Sequence, residues 1–241
     1  VVKPNAGLPD PITNTYDITP EEFASYVADM ANYGIRVVGG CCGTNPEYIK
    51  ATIKKLSTIP PKVEKKELPS AGCSSSKTVV INQPRIIGER INPTGKKRFK
   101  EALKNNDLDY ILGQAIEQAQ GGAEILDVNV GLPGIDEKEM MIKTVKALQG
   151  VTNLPLQLDS TIPEVLEAAL RVYNGKAIVN SVNGEEESLK NVLPIVKKYG
   201  AAVVGLTLDK DGIPPKAEKR FEIAKKIMNR ALEIGISKEN I

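Results

Sequence analysis

"EILDVNV", residues 124–130, is a short apolar run that closes on two polar side chains, Asp127 and Asn129. Such a run suits a strand buried on both faces, as in a parallel sheet. Four other stretches repeat the design: "RIIGERIN" (85–92), "LPLQLDS" (154–160), "KAIVNSV" (176–182) and "AAVVGLTLD" (201–209). Amphipathic spacing fills the intervals and predicts helices over 108–120, 136–149, 162–173, 186–199 and 215–234. Strands alternating with helices imply parallel βαβ units.

The ends of the runs choose between two folds of this kind. They close on Asn92, on Asp127 and Asn129, on Asp159 and Ser160, on Asn180, Ser181 and Asn183, and on Asp209. No lysine or arginine stands among them. In a (β/α)8 TIM barrel this carboxyl-terminal rim carries the active site. No G-x-G-x-x-G follows the first run, which argues against a dinucleotide-binding sheet. The expected fold is therefore α/β, with residues 84–241 forming the first five βα units of a (β/α)8 barrel. The series stops at "ISKENI", where a sixth strand is due, so this barrel is expected to be truncated at its C-terminus.

Upstream the periodicity fades. Residues 57–83, rich in Pro, Lys and Ser, read as an interdomain linker, with "TVVI" free to pack on a neighbour. The lysine-rich "KKRFK" (96–100) reads as a solvated loop, or alternatively as a contact for an anionic ligand tail. Before the linker the α/β alternation returns. Thr19 with Glu22 makes a capping box, Pro20 follows it, and Phe23, Tyr26, Val27 and Met30 recur at helical spacing up to Gly34. A strand "IRVVGG" (35–40) and a helix starting at Asn45–Pro46 come next. The opening "VVKPNAGLP" reads as a strand end entering a loop. Residues before the linker are therefore expected to be a separate α/β segment, and the chain an excised fragment.

Composition removes several classes of function. Thirty-two basic against thirty acidic residues leave a formal charge of +2, which gives no reason to expect nucleic acid or an anionic membrane as partner. No apolar run reaches the ~20 residues of a membrane span. Three cysteines are too few for a disulfide framework and point to the cytoplasm. The chain has no histidine, so Ser–His and Cys–His nucleophiles are excluded.

Two of the cysteines are adjacent, in "VVGGCCGT" (37–44). Cys41 and Cys42 are either two small buried hydrophobes or half of a thiolate metal site. Cys73, among serines, reads as an exposed bystander. The polar strand ends are also open to two readings. Ser160, Thr161 and Asn183 suit helix caps. Asp127, Asp159 and Asn180 lie within the last turn of strand, where a buried carboxylate needs a donor, and a flat heterocycle bearing N–H groups would supply one.

Taken in order, "IIGERINPTG", "LDVNVG", "LQLDST", "IVNSVNGE" and "VGLTLDKDGIP" resemble the pterin-binding barrel of methyltetrahydrofolate-dependent corrinoid methyltransferases. They are similar, more distantly, to dihydropteroate synthase. "PNAGLP" with "VVGGCCGT" resembles the end of the homocysteine S-methyltransferase barrel, which implies that residues 1–56 are the C-terminal part of such a barrel. The order of the two is similar to that of the cobalamin-dependent 5-methyltetrahydrofolate–homocysteine methyltransferase family. That resemblance implies methyl transfer from 5-methyltetrahydrofolate through cobalamin to homocysteine, giving methionine and tetrahydrofolate.

It also implies roles for residues. Asp159 and Asn180 would hydrogen-bond the pterin ring, and Asn92, Asp127 and Asn129 would line the same pocket. Cys41 and Cys42 would bind zinc together with a third cysteine from outside this chain. Cobalamin would sit in a corrinoid domain, also outside it. The alternatives are another corrinoid-linked methyltransferase, a dihydropteroate synthase-like enzyme, or a non-catalytic fragment that binds folate.

Overall fold

In the computed structural model, residues 1–60 and 68–241 are described, and the chain divides into two compact units, Val1–Glu67 and Leu68–Ile241. In the first unit, helix α1 (Pro20–Ala31) starts where its caps dictate. Thr19 Oγ1 accepts from Glu22 N at 3.3 Å and the Glu22 carboxylate accepts from Thr19 N at 2.9 Å. Helix α2 (Pro46–Leu56) is capped by Asn45, whose side chain accepts from Glu47 N. The two helices meet edge to face through Phe23 and Tyr48, with Ala6 and Val27 completing the cluster.

Two expectations for this unit need correcting. The buried face of α1 is Phe23, Ala24, Val27 and Ala28, and Tyr26 is exposed. "IRVVGG" does not form a strand: its contact with the chain start is one bridge, Val2 with Val38. The segments do run side by side, with Gly39 N donating to Val2 O and Cys41 N to Pro4 O. Pro4 has no N–H to return, which breaks the ladder there.

The second unit is a five-stranded parallel sheet whose spatial order is its sequence order: β3 (Ile87–Ile91), β4 (Ile125–Val128), β5 (Leu156–Asp159), β6 (Ile178–Val182) and β7 (Ala202–Gly205). A doubly wound sheet reverses its strand order at a switch point; this one never reverses, as in a barrel wall. Helices α4 (Leu108–Gln120), α5 (Glu137–Val151), α6 (Pro163–Val172), α7 (Glu186–Tyr199) and α8 (Ala217–Glu233) follow the strands in turn. Leu126, Val128, Leu156, Leu158, Val179 and Val203 share one core with Met141, Leu148, Leu166, Leu193 and Val196 of those helices. The alternate residues face the other side of the sheet.

Between β3 and α4 stands a helix where a loop is expected, α3 (Lys97–Lys104). Phe99, Ala102 and Leu103 form a buried stripe at i, i+3 and i+4, which the surrounding lysines hide in the sequence.

The linker expected over 57–83 does not extend through residues 71–80, where "TVVI" packs on a neighbour as the sequence allowed. Residues 61–67 lie outside the described residues, but β1 (Ala71–Cys73) and β2 (Thr78–Val80) pair as an antiparallel hairpin. Its Val79 packs with Ile125, Ile178 and Ala202, the first inward residues of β4, β6 and β7, so the hairpin forms the floor of the sheet's concave side. Cys73 is half-buried rather than an exposed bystander. It exchanges two 2.9 Å backbone hydrogen bonds with Lys176, and Tyr173 Oη donates to its carbonyl. Gly175 permits this approach, since a Cβ there would lie 2.2 Å from the Cys73 oxygen. Strands of three residues are too short to show an alternation in sequence.

Candidate functional site

Above the apolar floor, the inward positions of the strands turn polar. Asp127 and Gln157 are register partners on β4 and β5, and Asp159 and Asn180 are partners on β5 and β6. Asp127 is 2% exposed and Gln157 7% exposed. Gln157 Nε2 donates to Asp127 Oδ1 at 2.6 Å, and Asn180 Nδ2 donates to the same oxygen at 3.2 Å. Asp127 Oδ2 is buried and has no hydrogen-bond partner among the described residues. One step nearer the mouth, Asn129 Nδ2 donates to Asp159 Oδ2 at 2.9 Å, and Asn129 Oδ1 accepts from Gly131 N.

Electrostatics follows from this burial. Asp127 lies above the usual carboxylate range, chiefly because burial disfavours its charge, with the donors Gln157 and Asn180 working against the rise. Asp159 is raised for the same first reason, opposed by Asn129 and helped by the charges of Glu89 and Glu137. Two interacting carboxyls in a half-enclosed site suit a ligand that brings N–H donors or positive charge. Asp159 and Asn180 also open onto a cavity of about 330 Å³ shared with Ser160, Asn183, Ser188 and Leu206.

The structure thus gathers Asp127, Asn129, Asp159 and Asn180 on adjacent strands as two hydrogen-bonded sets, Asp127 with Gln157 and Asn180, and Asp159 with Asn129. Asn92 stays apart from their bonds: it is 9% exposed at the end of β3, and its side chain accepts from Thr94 N. Gln157 and Glu137 escaped the sequence reading. The signal for Gln157 was its position two residues before Asp159, on the same face of the strand. Glu137 accepts from Ser160 Oγ at 2.5 Å, and Ser160 accepts in turn from Ile162 N, so Ser160 does serve the start of α6.

In the first unit, Cys41 and Cys42 are exposed in a turn, with their sulfurs 3.9 Å apart. Two thiolates at ~2.3 Å on a tetrahedral zinc would stand ~3.8 Å apart, so the pair fits two corners of such a site. Gly43, at φ +80°, closes the turn beneath the Tyr16 ring, where a Cβ would lie 2.4 Å from ring carbon. Among the described residues no group of three or more His, Cys, Asp or Glu could hold a metal, so the remaining ligands are not supplied by them.

The sequence model of the family described as "Pterin binding enzyme" matches residues 88–241. The chain belongs to the pterin-binding enzyme family. A second model, "Homocysteine S-methyltransferase", matches residues 1–56. Methionine synthases of Mycobacterium leprae (strain TN) and Mycobacterium tuberculosis (strain ATCC 25618 / H37Rv) are each 35% identical to 95% of this chain. The chain spans about one fifth of the length of these relatives, 20% of each.

Among solved structures, the fold is similar to that of dihydropteroate synthase from Xanthomonas albilineans with 4-aminobenzoic acid. The TM-score is 0.56 at 20% identity, covering 71% of this chain and 62% of that one. The 7,8-dihydropteroate synthase of Vibrio fischeri ES114 aligns with a TM-score of 0.53 at 16% identity, covering 70% and 64%. These likenesses show the α/β barrel fold. No helix among the described residues is long and apolar enough to cross a membrane.

Proposed function

We propose that the chain takes part in transferring a methyl group from 5-methyltetrahydrofolate, by way of cobalamin, to homocysteine, giving methionine and tetrahydrofolate. One observation carries this reading: a homocysteine S-methyltransferase segment (1–56) precedes a pterin-binding segment (88–241) in one chain. A dihydropteroate synthase, or a pterin methyltransferase standing alone, has no use for the first segment. In this reading residues 1–56 are the end of a homocysteine barrel and residues 84–241 part of a pterin barrel.

The residues divide the work by chemistry. Asp159 keeps one oxygen free of Asn129, and Asn180 keeps its amide oxygen free of Asp127. Both can accept from the amino group and ring N–H of a pterin, a charge-assisted pairing at the carboxylate. Asn92 and Asn129 border the pocket. The N5 position leaves poorly unless protonated, and the carboxylates of Glu89, Asp127, Asp159 and Glu137 favour positive charge on a ring held among them. Cobalamin would accept the methyl group, bound by residues outside this histidine-free chain. In the first unit, Cys41 and Cys42 would hold zinc, which supplies an open position where a substrate thiol is kept as thiolate.

The test is calorimetric and spectroscopic. The full-length protein should bind 5-methyltetrahydrofolate and methylate reduced cobalamin, read from its absorbance, whereas the 241-residue segment alone is expected to be inactive. Binding without transfer would favour a non-catalytic folate-binding role, and formation of dihydropteroate from 4-aminobenzoic acid would favour a synthase.

A further inference from the structure

Gln157 is a polar side chain in the barrel interior that the proposed reaction does not use. It stands beside Asp127 in the β4–β5 register and makes the shortest contact in the cluster, Nε2 to Asp127 Oδ1 at 2.6 Å. Asn180 Nδ2 reaches the same oxygen from the other side at 3.2 Å. Both donors therefore fall on Oδ1, and Oδ2 is left buried without a protein donor among the described residues. Asn180, oriented by the N–H it gives to Asp127, keeps its side-chain oxygen free to accept from a ligand. Asn129 repeats the pattern beside it: its nitrogen holds Asp159 and its oxygen is taken by Gly131 N.

We propose that Gln157 is a positioning residue, which locks the Asp127 carboxylate and through it the Asn180 amide, so that the Asn180 side-chain oxygen is held as an acceptor for a ligand. An amide fits this task because it donates without carrying charge. A lysine there would neutralise Asp127 and leave it nothing to offer a ligand. An apolar residue would leave Oδ1 with the longer Asn180 bond alone. Asp127 would then be free to rotate, and Asn180 free to turn its nitrogen outward. The matching ligand is a planar ring edge made of N–H donors. That last step rests on the pterin reading, whereas the link from Gln157 to Asp127 does not.

The charged groups bearing on Asp127 are Glu89 from β3 and Asp159 from β5, and both raise its pKa as burial does. β6 contributes only the uncharged Asn180, and the inner core at β7 is apolar, with Ala202 and Val204. The Gln157 donor opposes all of these, since a hydrogen bond to the ionised form favours ionisation. Removing it moves the Asp127 titration upward.

The experiment follows the Asp carboxyl carbons by ¹³C NMR across pH in the 241-residue chain, without ligand. In Gln157→Met, which keeps the volume, the Asp127 midpoint should rise by about one to two pH units, the worth of one hydrogen bond to a charged group. Asp10, held by the backbone of its own loop in the other unit, is the internal reference. A midpoint within about 0.3 units of the unmutated chain, in a variant with an unchanged melting curve, overturns the proposal. Should Gln157→Met fail to fold, Gln157→Glu decides: two carboxyls at this separation share a proton, and one step should lie far above the carboxylate range. Two ordinary titrations there overturn it equally.

A calorimetric arm adds 5-methyltetrahydrofolate. Weakened binding by Gln157→Met, in step with the titration shift, supports the link to the ligand face. If the unmutated chain binds none while the midpoint still moves, the positioning role stands and the pterin reading falls.

Discussion

The hydroxyl of Tyr173 donates to the carbonyl of Cys73 at 2.9 Å, across 100 positions of sequence. It also accepts from Leu156 N at 3.1 Å, so one side chain ties the hairpin floor to the amino end of β5. Burial pushes this phenol up to about 12, with the Leu156 donor opposing.

Replacing Tyr173 with phenylalanine keeps the ring and deletes both bonds, taking from Leu156 N its acceptor while Cys73 O keeps Lys176 N alone. Such a loss typically costs about 1–3 kcal/mol. Denaturant unfolding should show a lower midpoint with little change in slope. The phenol's folded pKa lies above its unfolded value, so its contribution is complete below pH 10 and fades as pH rises towards about 12. The gap between Tyr173→Phe and the unmutated chain should narrow over that window.

Asp159→Ala removes the acceptor nearest the mouth. Truncating one partner of a buried charge-assisted pair costs about 2–5 kcal/mol, so 5-methyltetrahydrofolate should bind at least about tenfold more weakly. Isothermal titration measures this directly. An affinity within about twofold, at an unchanged melting temperature, would reduce Asp159 to a partner for Asn129.

Asp127 should oppose stability at neutral pH. Its folded pKa is raised, chiefly by burial, so above its unfolded value the native state holds more protons than the unfolded one. Stability must then fall as pH rises through the folded pKa. Asp127→Asn escapes this penalty and still offers an oxygen to Gln157. Its melting temperature should exceed that of the unmutated chain at pH 7 by more than at pH 4, while ligand affinity falls. Equal differences at the two pH values would contradict the assignment.

For the thiols, metal content is the measurement. In the full-length protein, Cys41→Ser and Cys42→Ser should each lose zinc, whereas Cys73→Ser, in the hairpin of the other unit, should keep it. Methyl transfer from folate to cobalamin should survive all three. Full zinc content in Cys42→Ser would refute the thiolate pair.

The sequence made the barrel readable because its strands end in polar groups, and those ends occupy adjacent strands as expected. Helices at 108–120 and 186–199 have the predicted limits, since Asp107 caps the first and Gly200 stops the second in a left-handed turn. What stayed hidden was tertiary. Val79 is one apolar residue in a polar stretch until Ile125 and Ile178 meet it. Phe99 and Leu103 are masked by neighbouring lysines. Gln157 sits inside an otherwise apolar run, and its value comes from Asp127, thirty positions earlier.

The hairpin floor also has a consequence for synthesis on the ribosome. Residues 71–80 leave the tunnel first, yet their docking partners, Tyr173 and Lys176, arrive about a hundred residues later. At ~5–20 residues per second that is a wait of roughly 5–20 s. During it Val79 and the Cys73 thiol have nowhere to pack, so a newborn chain is most open to capture by a chaperone, or to oxidation, at the segment that later becomes its floor.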